Sequence, residues 1–114
     1  MTWTGRWTKP GANVNGGRSL GAAYTPSATA YVQHFVSIQM VITAGQSVQV
    51  SALCDGATLP ATERARVSNN IVGTVTAMLT WISAPGDNCK LVATGTGAAT
   101  IAAQWEVPLG APSE

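Results

Sequence analysis

The chain has 114 residues, 10% of them charged, with a formal net charge of +1 and a mean hydropathy of +0.17. That length holds one domain with a modest core, and an average soluble domain carries roughly 25% charged residues, so much of this surface is expected to be covered by partners. The cations Arg6, Lys9, Arg18, Arg64, Arg66 and Lys90 are scattered, which argues against nucleic-acid binding, and no apolar stretch approaches bilayer-spanning length, so membrane insertion is not expected.

The opening, MTWTGRWTKPG, lacks the apolar segment of a secretory signal, and synthesis in a cytoplasm is the expectation. On a strand, Trp3, Gly5 and Trp7 would share one face. Two exposed tryptophans would leave large apolar surfaces in water, so they either cap this chain's own sandwich or plug into another chain as anchors. Gly11 to Tyr31, GANVNGGRSLGAAYTPSATAY, has no periodic apolar pattern. Its glycines allow close backbone approach and Tyr24-Thr25-Pro26 sets an extended exit. Residues 1–30 therefore read as an arm that packs on other chains, with Trp3, Trp7, Leu20 and Tyr24 as its assembly residues.

From residue 31 to 109 the pattern is that of a β domain, and 110–114 form a short tail. In HFVSIQMVIT, Val36, Ile38, Met40 and Ile42 alternate with Ser37, Gln39 and Thr43, the period of a half-buried strand. The AGQ turn and SVQVSALC, with Val48, Val50, Ala52 and Cys54 on one face, complete a predicted hairpin. PATERARVS, Pro60 to Ser68, has a helix-like start with Thr62 as its N-cap, and is read as a loop or single turn inside the long loop Asp55 to Asn70. IVGTVTAMLTWI sets Ile71, Val75, Ala77, Leu79 and Trp81 on one face, APGDN turns the chain, and CKLVAT with ATIAAQWEV makes a second predicted hairpin in which Ile101, Ala103, Trp105 and Val107 share a face. Five strands with short turns and little helix signal give an all-β fold, a small antiparallel sandwich or barrel with an extended N-terminal arm. So thin a core points to oligomerisation as a source of stability.

Cys54 and Cys89 are the only cysteines. A bridge between them would stabilise by about 3–4 kcal/mol on the chain-entropy model, whereas cytoplasmic folding favours free thiols; their spacing offers no zinc or redox motif. No catalytic set emerges. His34, the single histidine, shares the parity of Val36 and reads as a packed structural residue, Asp55 and Asp87 adjoin glycines and fit turn chemistry, and neither NGG nor GTGTG matches a phosphate-binding loop. The expectation is a protein without catalysis, cofactor or metal.

The segments RSLGAAYTPSATA, TAGQSVQV, TERARVSNNIVGTV, APGDNCKLVATGTG and QWEVPL, in this order from Arg18 to about Leu109, resemble a family of small β domains encoded among tailed-bacteriophage tail genes, found as short proteins and as C-terminal tips of tail fibres. Where the family pattern has VPAG, this chain has SAPGDN. The resemblance implies a noncatalytic virion component, homotrimeric, assembled in the host cytoplasm with other virion proteins and presented to a glycan or protein receptor on the bacterial surface. Rival readings are a capsid decoration or head-fibre protein and a free-standing carbohydrate-binding module. Within the Asp55–Asn70 loop, Glu63, Arg64, Arg66, Asn69 and Asn70 are the candidate receptor-binding residues, since guanidinium, carboxylate and amide groups suit sugar hydroxyls and acidic surface groups. A solvated loop or ion pairs between subunits would use the same residues.

Overall fold

The computed structural model describes Ala12–Asn13 and residues 19–109; Trp3 and Trp7 lie outside the described residues. Seven strands run in the order β1 (Ala12–Asn13), β2 (Val32–Ile42), β3 (Val48–Asp55), β4 (Glu63–Asn69), β5 (Gly73–Ser83), β6 (Asn88–Gly95) and β7 (Ala98–Pro108). The described residues contain no helix. They form an all-β antiparallel sandwich, one sheet ordered β1-β7-β2-β5 and the other β4-β3-β6.

Alternation builds the core from both sheets. Val36, Ile38, Met40 and Ile42 of β2 and Leu79 and Trp81 of β5 point inward from one side; Val48, Val50, Ala52 and Cys54 of β3 and Cys89 and Leu91 of β6 point inward from the other. All are buried. Ile71, expected on the inward face of β5, instead lies ahead of that strand and is 70% exposed.

Both predicted hairpins are corrected. β2 pairs with β5 and β7, and β3 with β4 and β6, so the links from β2 to β3 and from β6 to β7 cross between sheets. The period-2 pattern is blind to this difference, because a corner and a hairpin both send alternate residues of successive strands into one core. Among the described residues the single hairpin within a sheet is β3 to β4. Its second strand occupies Glu63–Asn69, which corrects the reading of Pro60 to Ser68 as a loop or turn. Ala65 and Val67 of β4 pack on the core, and pairing along β3 overrides the weak local helix signal.

Two bulges reset side-chain parity. In β7 the register slips so that Ser37 faces Ala103 and Ile38 faces Ile101, leaving Ala102 over. Ile101 therefore packs on the core, while beyond the bulge Gln104, opposite Val36, is the buried residue at 2% exposure. Trp105, opposite Phe35, turns to the outer face, which corrects the expectation that Ile101 and Trp105 share a side. In β4 the slip between Ala52 and Leu53 leaves Arg64 unpaired in the ladder.

The two corners are stitched together at one end. The Thr96 and Gly97 amides donate to Ser47 O at 2.8 and 3.0 Å. Gly95 has φ +107°, and a Cβ there would collide with the Ser47 carbonyl oxygen. Gly45, also in the left-handed region at φ +81°, faces open space. Gly95→Ala should thus cost about 2–3 kcal/mol and Gly45→Ala about 1 kcal/mol, a ranking that urea titration of the two variants checks.

Cys54 and Cys89 face each other across β3 and β6 and form a disulfide, with a Cα–Cα distance of 4.2 Å. This corrects the inference of free thiols from cytoplasmic folding: adjacent inward positions on paired strands bring the sulfurs together. Both cysteines are fully buried. Reduction should lower unfolding free energy by about 3–4 kcal/mol, and denaturation with and without reductant measures it.

Candidate functional site

The end of the sandwich that holds the disulfide is built from side chains of both sheets. Trp81 Nε1 donates to Cys54 Sγ at 3.0 Å. The Trp81 ring lies parallel to that of His34, with centroids 4.3 Å apart, and Tyr24 meets His34 edge-on at 6.4 Å. His34 Nε2 lies 2.9 Å from Ser83 Oγ. His34 and Ser83 are each 1% exposed. The expectation of a packed structural histidine is met in this geometry, and the serine beside it is closed to a substrate.

The arm joins the same cluster. Tyr24 exchanges backbone hydrogen bonds with Cys89, N to O at 2.9 Å and O to N at 2.7 Å, and the Gly21 amide donates to Leu91 O at 2.7 Å. Leu20 and Tyr24 are half-buried against this chain's own core, so the structure places these two expected assembly residues within their own subunit.

The five candidate receptor residues do not form one cluster. Glu63 and Arg66 make a two-pronged ion pair, Nε to Oε1 at 2.9 Å and Nη2 to Oε2 at 3.0 Å, and Ser51 Oγ donates to Glu63 Oε1 at 2.8 Å. The pair sits on the outer side of β4. The Arg66 guanidinium, together with the Ser51 hydroxyl, holds the Glu63 carboxyl below its ordinary range. Arg64, at the bulge, donates through Nε to Cys54 O at 3.1 Å. Asn69 is buried at the far end of β4 and structural: Nδ2 donates to Met40 O at 3.3 Å and Oδ1 accepts from the Ile71 amide at 2.9 Å. Asn70 is exposed and, with Asn69, Gln49, Ser68, Ser47 and Thr94, lines an open cleft of about 190 Å³.

Charge is divided between the two sheets. Asp55, Glu63, Arg64, Arg66 and Lys90 belong to the three-stranded sheet. The outward positions of the other sheet are Gln33, Phe35, Ser37, Gln39 and Val41 on β2, Thr74, Thr76, Met78, Thr80 and Ile82 on β5, and Ala98, Thr100, Ala103 and Trp105 on β7, with no charge among them; Val107 shares their side but is buried. Glu106 lies opposite His34, on the inward side. The sequence held the signal for this face, since its strand segments lack charged residues at alternate positions, but which strands lie side by side was hidden. The cleft was missed because its residues come from three strand ends.

Asp55 and Asp87 play the expected turn roles. Asp55 Oδ1 accepts from the Ala57 amide at 2.8 Å, and Oδ2 accepts from the amides of Ala61 and Thr62 at 2.9 and 3.1 Å and from Thr62 Oγ1 at 3.0 Å. Asp87 Oδ2 accepts from the Ala84 amide at 2.9 Å. Among the described residues no group of acidic, histidine or cysteine side chains is arranged to hold a metal.

No protein-family model, curated protein or solved structure matches the chain.

Asp55 sets a pH dependence. The amides of Ala61 and Ala57, with Thr62, lower its pKa from 3.8 to about 2. A depressed folded-state value means that the stabilisation is complete above the unfolded pKa and is lost as pH falls through about 4 to 2. Asp55→Asn should flatten this acid limb, seen as a smaller difference in urea midpoint between pH 5 and pH 2.5 than in the parent.

Proposed function

We propose that the chain is a noncatalytic structural protein of a bacteriophage virion, a tail-fibre tip or receptor-binding domain that assembles from several copies and takes part in host attachment. The division of its surface into a charged sheet and a sheet whose outer face carries no charge among the described residues carries this reading. A charge-free sheet face is the kind of surface that identical or neighbouring subunits cover, and the opposite sheet is then left to face the host. The resemblance of residues 18–109 to small tail-encoded β domains supplies the setting. The closed His34–Ser83 pair supports the noncatalytic part.

Recognition is assigned to the outer side of β4. Arg66 and Glu63 present a fixed pair of donors and acceptors, and Arg64 adds a second guanidinium whose Nε is anchored on the backbone. Planar guanidinium groups suit carboxylate, phosphate and vicinal hydroxyls of bacterial envelopes. The cleft lined by Gln49, Asn70, Ser68 and Thr94 favours a second reading, a carbohydrate-binding module, because amides and hydroxyls are sugar-binding groups. Its lining offers no aromatic ring for a sugar to stack on.

Arg64→Ala/Arg66→Ala separates recognition from assembly. The expected outcome is loss of host-cell binding by the purified protein with melting temperature and solution mass unchanged, since an exposed ion pair contributes little to stability. Unchanged binding in the variant would remove recognition from β4. Imaging of virions with an antibody against the chain distinguishes a tail tip from the capsid surface.

A further inference from the structure

A sandwich of two open sheets has four edges, and three of these are closed or guarded. The outer side of β7 is paired with β1 at its C-terminal end, Ala12 facing Glu106 and Asn13 facing Trp105, and the rest of that strand is broken by the bulge at Ala102. The first half of the outer side of β6 is covered by the arm through the Tyr24–Cys89 bridge and the Gly21 to Leu91 hydrogen bond. The edge at β4 carries Glu63, Arg64 and Arg66 and is broken by a bulge, devices that oppose strand addition. The fourth edge, β5, has none of them. It is eleven residues of unbroken ladder against β2, GTVTAMLTWIS, free of charge and proline, and no described strand pairs with its outer side.

We infer that β5 is a homodimerisation edge, pairing antiparallel with β5 of a second copy to join two four-stranded sheets into one. The occupant is a second copy because the strand complements itself. Overlap of the full Gly73–Ser83 span about its midpoint sets Met78 opposite its own copy, Thr76 opposite Thr80 and Val75 opposite Trp81. Threonine pairs and aromatic with β-branched pairs are favourable cross-strand neighbours, and a strand without charge meets no like charge in its copy. Met78 and Ile82, 52% and 48% exposed, gain cover on the outer face. Val75 and Ala77 face inward yet remain half-buried for want of a neighbouring strand. The charge-free outer face then continues across both subunits. A self-pair of this kind is twofold, so the unit it builds is a dimer and not the trimer implied by the family resemblance. The inference does not depend on the receptor role of β4.

The test is a charge swap read by light-scattering mass and sedimentation. The parent chain should have twice the 11.7 kDa chain mass. T76K/T80K, which sets lysine against lysine at both symmetric contacts, should weaken the dimer by about tenfold or more, and T76K/T80E, which sets lysine against glutamate, should return it to near the parent value. A monomeric or trimeric parent overturns the inference, as does a dimer indifferent to T76K/T80K. Should a variant fail to fold, hydrogen exchange on the parent decides: protection of Gly73–Ser83 amides that rises with protein concentration supports the pair, and protection independent of concentration overturns it.

Discussion

The Cys54–Cys89 bridge and the rings stacked over it tie the parts of this molecule together. The bridge joins β3 to β6, Trp81 reaches it from the opposite sheet, His34 lies on Trp81, and Tyr24 touches His34 while its backbone pairs with Cys89. Two sheets and an arm thus meet at one point. Beside the aliphatic core of Val36, Ile38, Met40, Ile42, Val48, Val50, Leu79 and Leu91, the aromatic stack and the covalent link supply rigidity that aliphatic packing of this size would not. The arm is held at a strand edge by backbone hydrogen bonds, so its position depends on β6 being fixed by the bridge.

The strands were legible because alternation is a local property. Val36 to Ile42, Val48 to Cys54 and Val75 to Trp81 show which side chains enter a core, and the structure buries or half-buries the inward residues of each set. Sheet membership is a property of pairs of distant segments, and Ile42 and Val48 would be buried by a hairpin and by a corner alike. The bulge at Ala102 was equally hidden. One surplus residue moves Gln104 into the core and Trp105 out of it, against what hydropathy alone would choose. β4 was missed for the opposite reason: Glu63, Arg64 and Arg66 dominate a strand whose inward residues are only Ala65, Val67 and Asn69. The candidate site was legible as residue types and not as a place, since Asn69 and Asn70 fall at the other end of β4 from Glu63.

The placement of charge also bears on how the sheets avoid unwanted association. Guarding the β4 edge with an ion pair and a bulge costs little core volume, because only the outward positions are polar. Among the described residues the outer face of the four-stranded sheet carries no comparable charged guard, and hydroxyl and amide side chains stand there beside Phe35, Met78 and Trp105. Surfaces of this kind remain soluble while still offering apolar area to a matched partner.

The pairing of β2 spans most of the described chain. Val32 faces Pro108 and Ser83, and the Leu109 amide donates to Tyr31 O at 2.9 Å. β2 is therefore completed only once β7 has formed, and long-range antiparallel pairing is slow to nucleate because loop closure must precede the contacts that reward it. Until β7 is in place one side of β2, with Val36, Ile38 and Met40, lacks its neighbouring strand, so the pairing of β2 with β7 is expected to close the fold.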